Sequence, residues 1–126
     1  MYENKIKVFN DLTAWKRGHE LVLLIYRLTS EFPKTETYSL TDQMRRSAMS
    51  ITNNIAEGFP RKSKKEKNQF YYISLGSVSE LQNQLFIAKD LKYVTKSDYK
   101  VCFNTSVMVH KLINGLLKSS FSILNT

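Results

Sequence analysis

With 126 residues, 19 Lys and Arg against 11 Asp and Glu, and a net charge of +8, the chain has room for one domain and a bias toward acidic partners such as nucleic acid. Its one cysteine, Cys102, excludes an internal disulfide framework, and this suits a reducing compartment. The start MYENKIKVFNDL carries neither a long apolar run nor a small-residue cleavage site, and no later stretch reaches about 18 uncharged apolar residues. The expectation is a soluble, cytoplasmic protein with no membrane contact.

Helix breakers divide the chain. A first helix is expected over 13–32, where Trp15, Gly18, Val22, Ile25 and Phe32, flanked by Leu21 and Leu28, form an apolar stripe that stops before Pro33. A second is expected over 39–58, capped by Thr37 or Ser39 and ended by Gly58 in a left-handed conformation. A third, over 64–91, opens with Ser63-Lys64-Lys65-Glu66, a capping box. Its stripe runs through Tyr71, Ser74, Leu75, Val78, Leu81, Leu85 and Ala88. The fourth, over 96–123, is capped by Thr95 with Asp98 three residues on, and carries Cys102, Val109, Leu112, Ile113, Leu116 and Leu117. Long helices and short links make residues 1–126 a single all-α domain, an antiparallel up-down-up-down four-helix bundle.

The second helix stands out because it carries two stripes. Leu40, Met44, Ala48, Ile51 and Ile55 form the core strip. Beside it Gln43, Arg46, Ser50, Asn54 and Glu57 occupy a sector about 80° wide. A solvated face normally fills with Lys and Glu, so this strip is expected to meet another helix or another chain, where its polar groups find partners. Antiparallel pairing around Pro60 brings Arg46 level with Gly76 and Ser77, one turn from Glu80. The expected contacts are an Arg46–Glu80 ion pair buttressed by Ser50 and Ser77, with Gly76 permitting close backbone approach.

The segments FNDLTAWKRGHELV, FPKTETYSLTDQMRRSAMSITNNIAEG and LGSVSELQNQL resemble signatures of the four-helix-bundle proteins encoded in intervening sequences of bacterial 23S rRNA genes. The matching positions are Asp11, Leu12, Trp15, Pro33, Glu36, Leu40, Gln43, Arg45, Arg46, Ser50, Asn54, Ile55, Ala56, Glu57, Gly58, Gly76, Ser77 and Glu80. One departure is the pair Gly18-His19, where a small residue often follows the Trp-containing turn. That family is similar to the accessory variability determinant proteins of diversity-generating retroelements, barrel-shaped homopentamers that bind nucleic acid and a reverse transcriptase. The resemblance implies a homo-oligomer, a homopentamer by likeness, with nucleic acid as partner and a reverse transcriptase or other protein as a further one.

Arg61, Lys62, Lys64, Lys65 and Lys67 place five cations within seven residues at one bundle end. Repeated around an axis, that end becomes a ring of positive charge able to bind phosphate backbone, with Tyr71 and Tyr72 adding base stacking. The competing reading is a solvated helix start, since Lys64 and Lys65 oppose the helix dipole there. Arg45 is counted with these five as a nucleic-acid contact; about 100° round from Arg46, it faces solvent or a neighbour and serves equally as a surface charge or a rim contact. No catalytic residues, cofactor or metal are expected. His19 and His110 lack carboxylate or His partners at helical spacing, Gly18, Gly58, Gly76 and Gly115 are isolated, and the polar strip has no neighbouring His for acid–base work. Two functions remain: a non-enzymatic nucleic-acid-binding accessory protein, or a structural interaction bundle with no nucleic-acid role.

Overall fold

The computed structural model describes residues 5–124, with side chains to residue 119. Four α-helices carry the fold: α1 (Thr13–Thr29), α2 (Asp42–Gly58), α3 (Lys64–Asp90) and α4 (Lys96–Leu124). Each packs on two neighbours, α1 on α2, α2 on α3, α3 on α4, and α4 back on α1. With short connections between them, this closes an antiparallel up-down-up-down bundle. The α1 start, the α2–α3 turn and the α4 C-terminus share one end. The α1–α2 and α3–α4 connections share the other.

The predicted stripes form the core. Leu21 and Ile25 of α1, Met44, Ile51 and Ile55 of α2, Val78, Leu81 and Leu85 of α3, and Val109 and Ile113 of α4 are fully buried. Each such side chain contributes about 1.5–3 kcal/mol relative to exposure. Gly18 is buried against α2, where an added Cβ would lie 3.0 Å from Thr52 Cγ2, so the Gly18 departure serves close α1–α2 packing. Trp15 stacks on His19 with centroids 4.8 Å apart and meets Phe9 edge-on at 5.6 Å.

Capping decides the helix ends, in part as expected. Ser63 Oγ accepts from the Glu66 amide at 3.3 Å, the forward half of the box. Thr95 Oγ1 accepts from the Asp98 amide at 3.0 Å. Neither Thr37 nor Ser39 caps α2. Glu36 caps the π-type turn that leads into it, Thr37–Thr41, kinked at Ser39, its carboxylate accepting from the Leu40 amide at 3.3 Å. Nor does Gly58 end α2 through a left-handed backbone, because no described glycine has positive φ. Gly58 is there for space: a Cβ would lie 2.8 Å from Phe70 Cβ and 3.2 Å from the Lys67 carbonyl oxygen. The left-handed residue is Lys92, φ 63°. It closes α3 with a Schellman pair, Tyr93 N–H to Ala88 O and Lys92 N–H to Lys89 O, both 2.9 Å.

Candidate nucleic-acid interface

At the α2–α3 turn, the close approach that Gly58 permits seats the end of α2 against α3, and Pro60 turns the chain away from it. The turn leaves carbonyls at the end of α2 without helical partners. Two of the five predicted cations satisfy them. Lys67 Nζ donates to the Phe59 carbonyl at 2.7 Å, and Arg61 Nε donates to the Glu57 carbonyl at 3.2 Å while its guanidinium lies 4.9 Å from the Phe70 ring centroid. Both charges sit where the helix dipole favours cations.

Arg61, Lys62, Lys64 and Lys67 then rim a cleft of about 410 Å³. Its floor is apolar, from Leu12, Phe59, Tyr71 and Leu116. Lys62 and Lys65 are exposed, Lys64 is half-buried, and partial desolvation pulls the Lys64 ammonium below the ordinary lysine value. A cationic rim over an apolar floor can hold phosphate oxygens at the edge and an apolar or aromatic group below.

Two expectations about this end need correction. Tyr71 is not a stacking surface. It is 2% exposed and forms part of the core, where burial pushes its hydroxyl up to about 12; only Tyr72, 56% exposed, is open to a base. Arg45 is remote from the loop, about 20 Å along α2 from Gly58 at 1.5 Å per residue. It bridges helices instead: Nε donates to Thr29 Oγ1 at 2.8 Å, and the guanidinium lies 4.5 Å from the Tyr26 ring centroid.

The polar strip of α2 is divided. Ser50 and Asn54 meet α3 or each other: Asn54 Nδ2 donates to Ser50 O at 2.8 Å and to Ser50 Oγ at 3.1 Å, and Ser50 Oγ lies 2.7 Å from Ser77 Oγ. Ser77 Oγ also reaches the Ile73 carbonyl at 3.1 Å, so one proton per hydroxyl suffices for an Asn54, Ser50, Ser77, Ile73 chain. Deeper in, Ser74 Oγ donates to the Ile51 carbonyl at 2.8 Å. Gln43, Arg46, Glu57 and Glu80 are exposed.

The Arg46–Glu80 ion pair does not form. Arg46 Nε pairs with Asp42 at 3.0 Å in its own helix, with the two side chains 70% and 43% exposed. A Cβ added at Gly76 would meet nothing within 4 Å, so this glycine mediates no backbone approach within the protomer. Sequence reasoning missed Phe59 and Phe70, the aromatic partners of Lys67 and Arg61. Phe59 stands eight residues before Lys67 and Phe70 nine after Arg61, each across the α2–α3 turn, so no helical spacing signals either pair.

Among the described residues no three His, Cys, Asp or Glu side chains converge as metal ligands, and no described helix is long and apolar enough to cross a membrane.

An antiparallel bundle with a cationic cleft at one end and a serine–asparagine seam between α2 and α3 is the class of protein that the fold and this end define. The chain matches the 23S rRNA-intervening sequence protein family over residues 10–115 and belongs to that family. Among solved structures it is similar to a protein of unknown function from the S23 ribosomal protein family of Bacteroides thetaiotaomicron VPI-5482. The TM-score is 0.77 at 23% identity, over 83% of this chain and 95% of the other, a likeness of fold. Comparison with curated proteins gives no match.

Proposed function

We propose that this chain is an oligomeric, non-enzymatic accessory protein that binds the backbone of RNA or DNA through its basic α2–α3 end. The observation carrying the reading is the cleft rimmed by Arg61, Lys62, Lys64 and Lys67, with Lys65 exposed beside it. Assembly is supported by an uncovered strip on the outer side of α3: Ile73, Ile87 and Leu91 are 53%, 41% and 51% exposed, alongside Gln43, Arg46 and Glu80. Such a strip with a polar rim has the make-up of a subunit contact. A homopentamer and a reverse transcriptase partner follow only from the likeness to retroelement accessory proteins.

The test is fluorescence anisotropy with a labelled single-stranded RNA, comparing the natural protein with a variant in which Arg61, Lys62, Lys64, Lys65 and Lys67 are all replaced by glutamine. The variant should bind at least about tenfold more weakly at low salt; equal binding rejects the loop as the site. The second reading, an interaction bundle without nucleic acid, draws support from the engagement of Arg61 and Lys67 in closing α2. It predicts a closed oligomer in mass measurement that carries no nucleic acid.

A further inference from the structure

The bundle end opposite the basic loop holds a second cluster of aromatic and cationic side chains, between α3 and α4. Phe86 lies 5.3 Å from Phe103 and 6.2 Å from Tyr99, and Tyr99 stacks on Phe103 at 5.5 Å, all between ring centroids. Lys89 Nζ sits 4.8 Å from the Tyr99 centroid and 5.5 Å from that of Phe86. Lys89, Lys96, Tyr99 and Lys100 line a depression of about 530 Å³, and Phe86 keeps 44% of its surface exposed.

This cluster is one end of a continuous strip. On α4, Lys96, Lys100, Lys111 and Lys118 fall within a sector about 60° wide and span about 33 Å. All four are exposed. Lys118 adjoins Ser119, which lines the basic cleft at the other end with Lys64. On α3, Tyr72 lies within about 40° of Phe86 on the helical wheel and is 56% exposed, so a second open ring stands on the same flank.

Acids are sparse on this strip. Asp98, the only acid of α4, lines a separate cleft against α1 with Arg27 and Glu31. On α3, Glu66 and Glu80 lie about 120–160° round from Phe86, and only the exposed Asp90, about 40° from Phe86 and in the direction of Tyr72, joins the strip at its far end. A strip of spaced cations and open rings with one carboxylate at its end matches a flexible polyanion with stackable faces, in which phosphates meet the lysines and bases meet the rings.

We infer that the α3–α4 face is a track for single-stranded nucleic acid, running from the α2–α3 cleft to the Phe86–Tyr99–Phe103 cluster. Its length lies within the reach of about 4–16 nucleotides that single-strand-binding folds cover. The track rests on the reading of the basic end as a nucleic-acid site, and the test separates the two. Labelled oligouridines of about 4 and about 12 nucleotides are titrated against the natural protein, against Lys96→Gln/Lys100→Gln/Lys111→Gln/Lys118→Gln, and against Tyr72→Ala/Phe86→Ala, with circular dichroism confirming that each folds.

The longer strand should bind at least about tenfold tighter than the shorter. The lysine variant should lose that advantage and about 2–3 units of log–log salt slope, at about 0.7 per phosphate contact, while the short strand still binds. Photo-crosslinking of iodouridine strands should mark Tyr72, Phe86 or Tyr99. Undiminished binding of the longer strand by both variants, or crosslinks confined to the α2–α3 loop, would overturn the track and leave the loop site standing. Absence of binding by either strand, or equal affinity for polyglutamate of the same length, would overturn both.

Discussion

The Tyr93 hydroxyl donates a 2.9 Å hydrogen bond to the Glu36 carboxylate and so ties the α3–α4 connection to the α1–α2 connection. Phe32, at the end of the first connection's approach, packs 5.3 Å from the Tyr93 ring. Because Glu36 also caps the turn into α2, one carboxylate joins three parts of this end.

That bond holds the Tyr93 hydroxyl above its ordinary value, chiefly through the hydrogen bond to Glu36 and then by desolvation. A raised folded-state value for an acid means that the native state keeps its proton longer, so the contribution is intact below the ordinary tyrosine value of about 10 and fades as pH rises beyond it. Tyr71, pushed up to about 12 by burial, adds to the same trend. Thermal melts should therefore lose stability steadily above about pH 10. In Tyr93→Phe, Tm at neutral pH should drop by a few degrees, and the alkaline loss should be shallower. A Tyr93→Phe melt identical to the natural protein at every pH would show that the bond contributes nothing.

Two glycines on packed helices make opposite predictions. Gly58→Ala forces a Cβ to 2.8 Å from Phe70 Cβ, and overpacking of this kind costs about 1–3 kcal/mol. Gly76 has open space around it, so Gly76→Ala should stabilise the protomer by up to about 1 kcal/mol through helix propensity. Denaturant midpoints of the two variants check both signs. If Gly76→Ala instead weakens the assembly seen by mass measurement, a neighbouring subunit occupies that space.

Lys92 sits at φ 63°, a conformation disfavoured for a residue with a side chain. Lys92→Gly removes that strain while keeping the Schellman bonds, and loses part of the gain to a freer unfolded chain. The net expectation is a stabilisation of about 1 kcal/mol, or roughly 4 °C in Tm. A lower Tm would mean that the Lys92 side chain supplies an attraction larger than its backbone strain.

Cys102 is 2% exposed, and its thiol is pushed up to about 11, first by burial and then by Asp98. At neutral pH it should react with a disulfide reagent far more slowly in the native protein than in denaturant. Equal rates would place it at the surface.

The helices were legible because breakers and caps are local. Pro33, Ser63, Thr95 and the apolar stripes carry their meaning within one turn, and the core followed from them. The polar strip of α2 was legible only in part, for a geometric reason. Asn54 lies about 80° from the centre of the apolar strip and Arg46 about 160°, so the same 80° sector runs from the helix contact to open solvent. An exposed arginine then takes the nearest carboxylate, and Asp42 at i−4 was nearer than Glu80 on another helix.

Gly58 shows a different limit. Its sequence position suits a helix terminator, but only the approach of Phe70 reveals that space, and not backbone sign, is what it provides. The Phe86, Tyr99 and Phe103 cluster was invisible for a related reason, since it forms only when α3 and α4 are placed in register.

Whether the α2–α3 end is a phosphate-binding surface is decided by the affinity for single-stranded RNA across a series of salt concentrations. Log affinity should fall steeply and linearly with log salt. The slope should shallow by about 3.5 when Arg61, Lys62, Lys64, Lys65 and Lys67 are neutralised together, at about 0.7 per contact. A slope unchanged by those substitutions, or an affinity indifferent to salt, would contradict phosphate binding at this end.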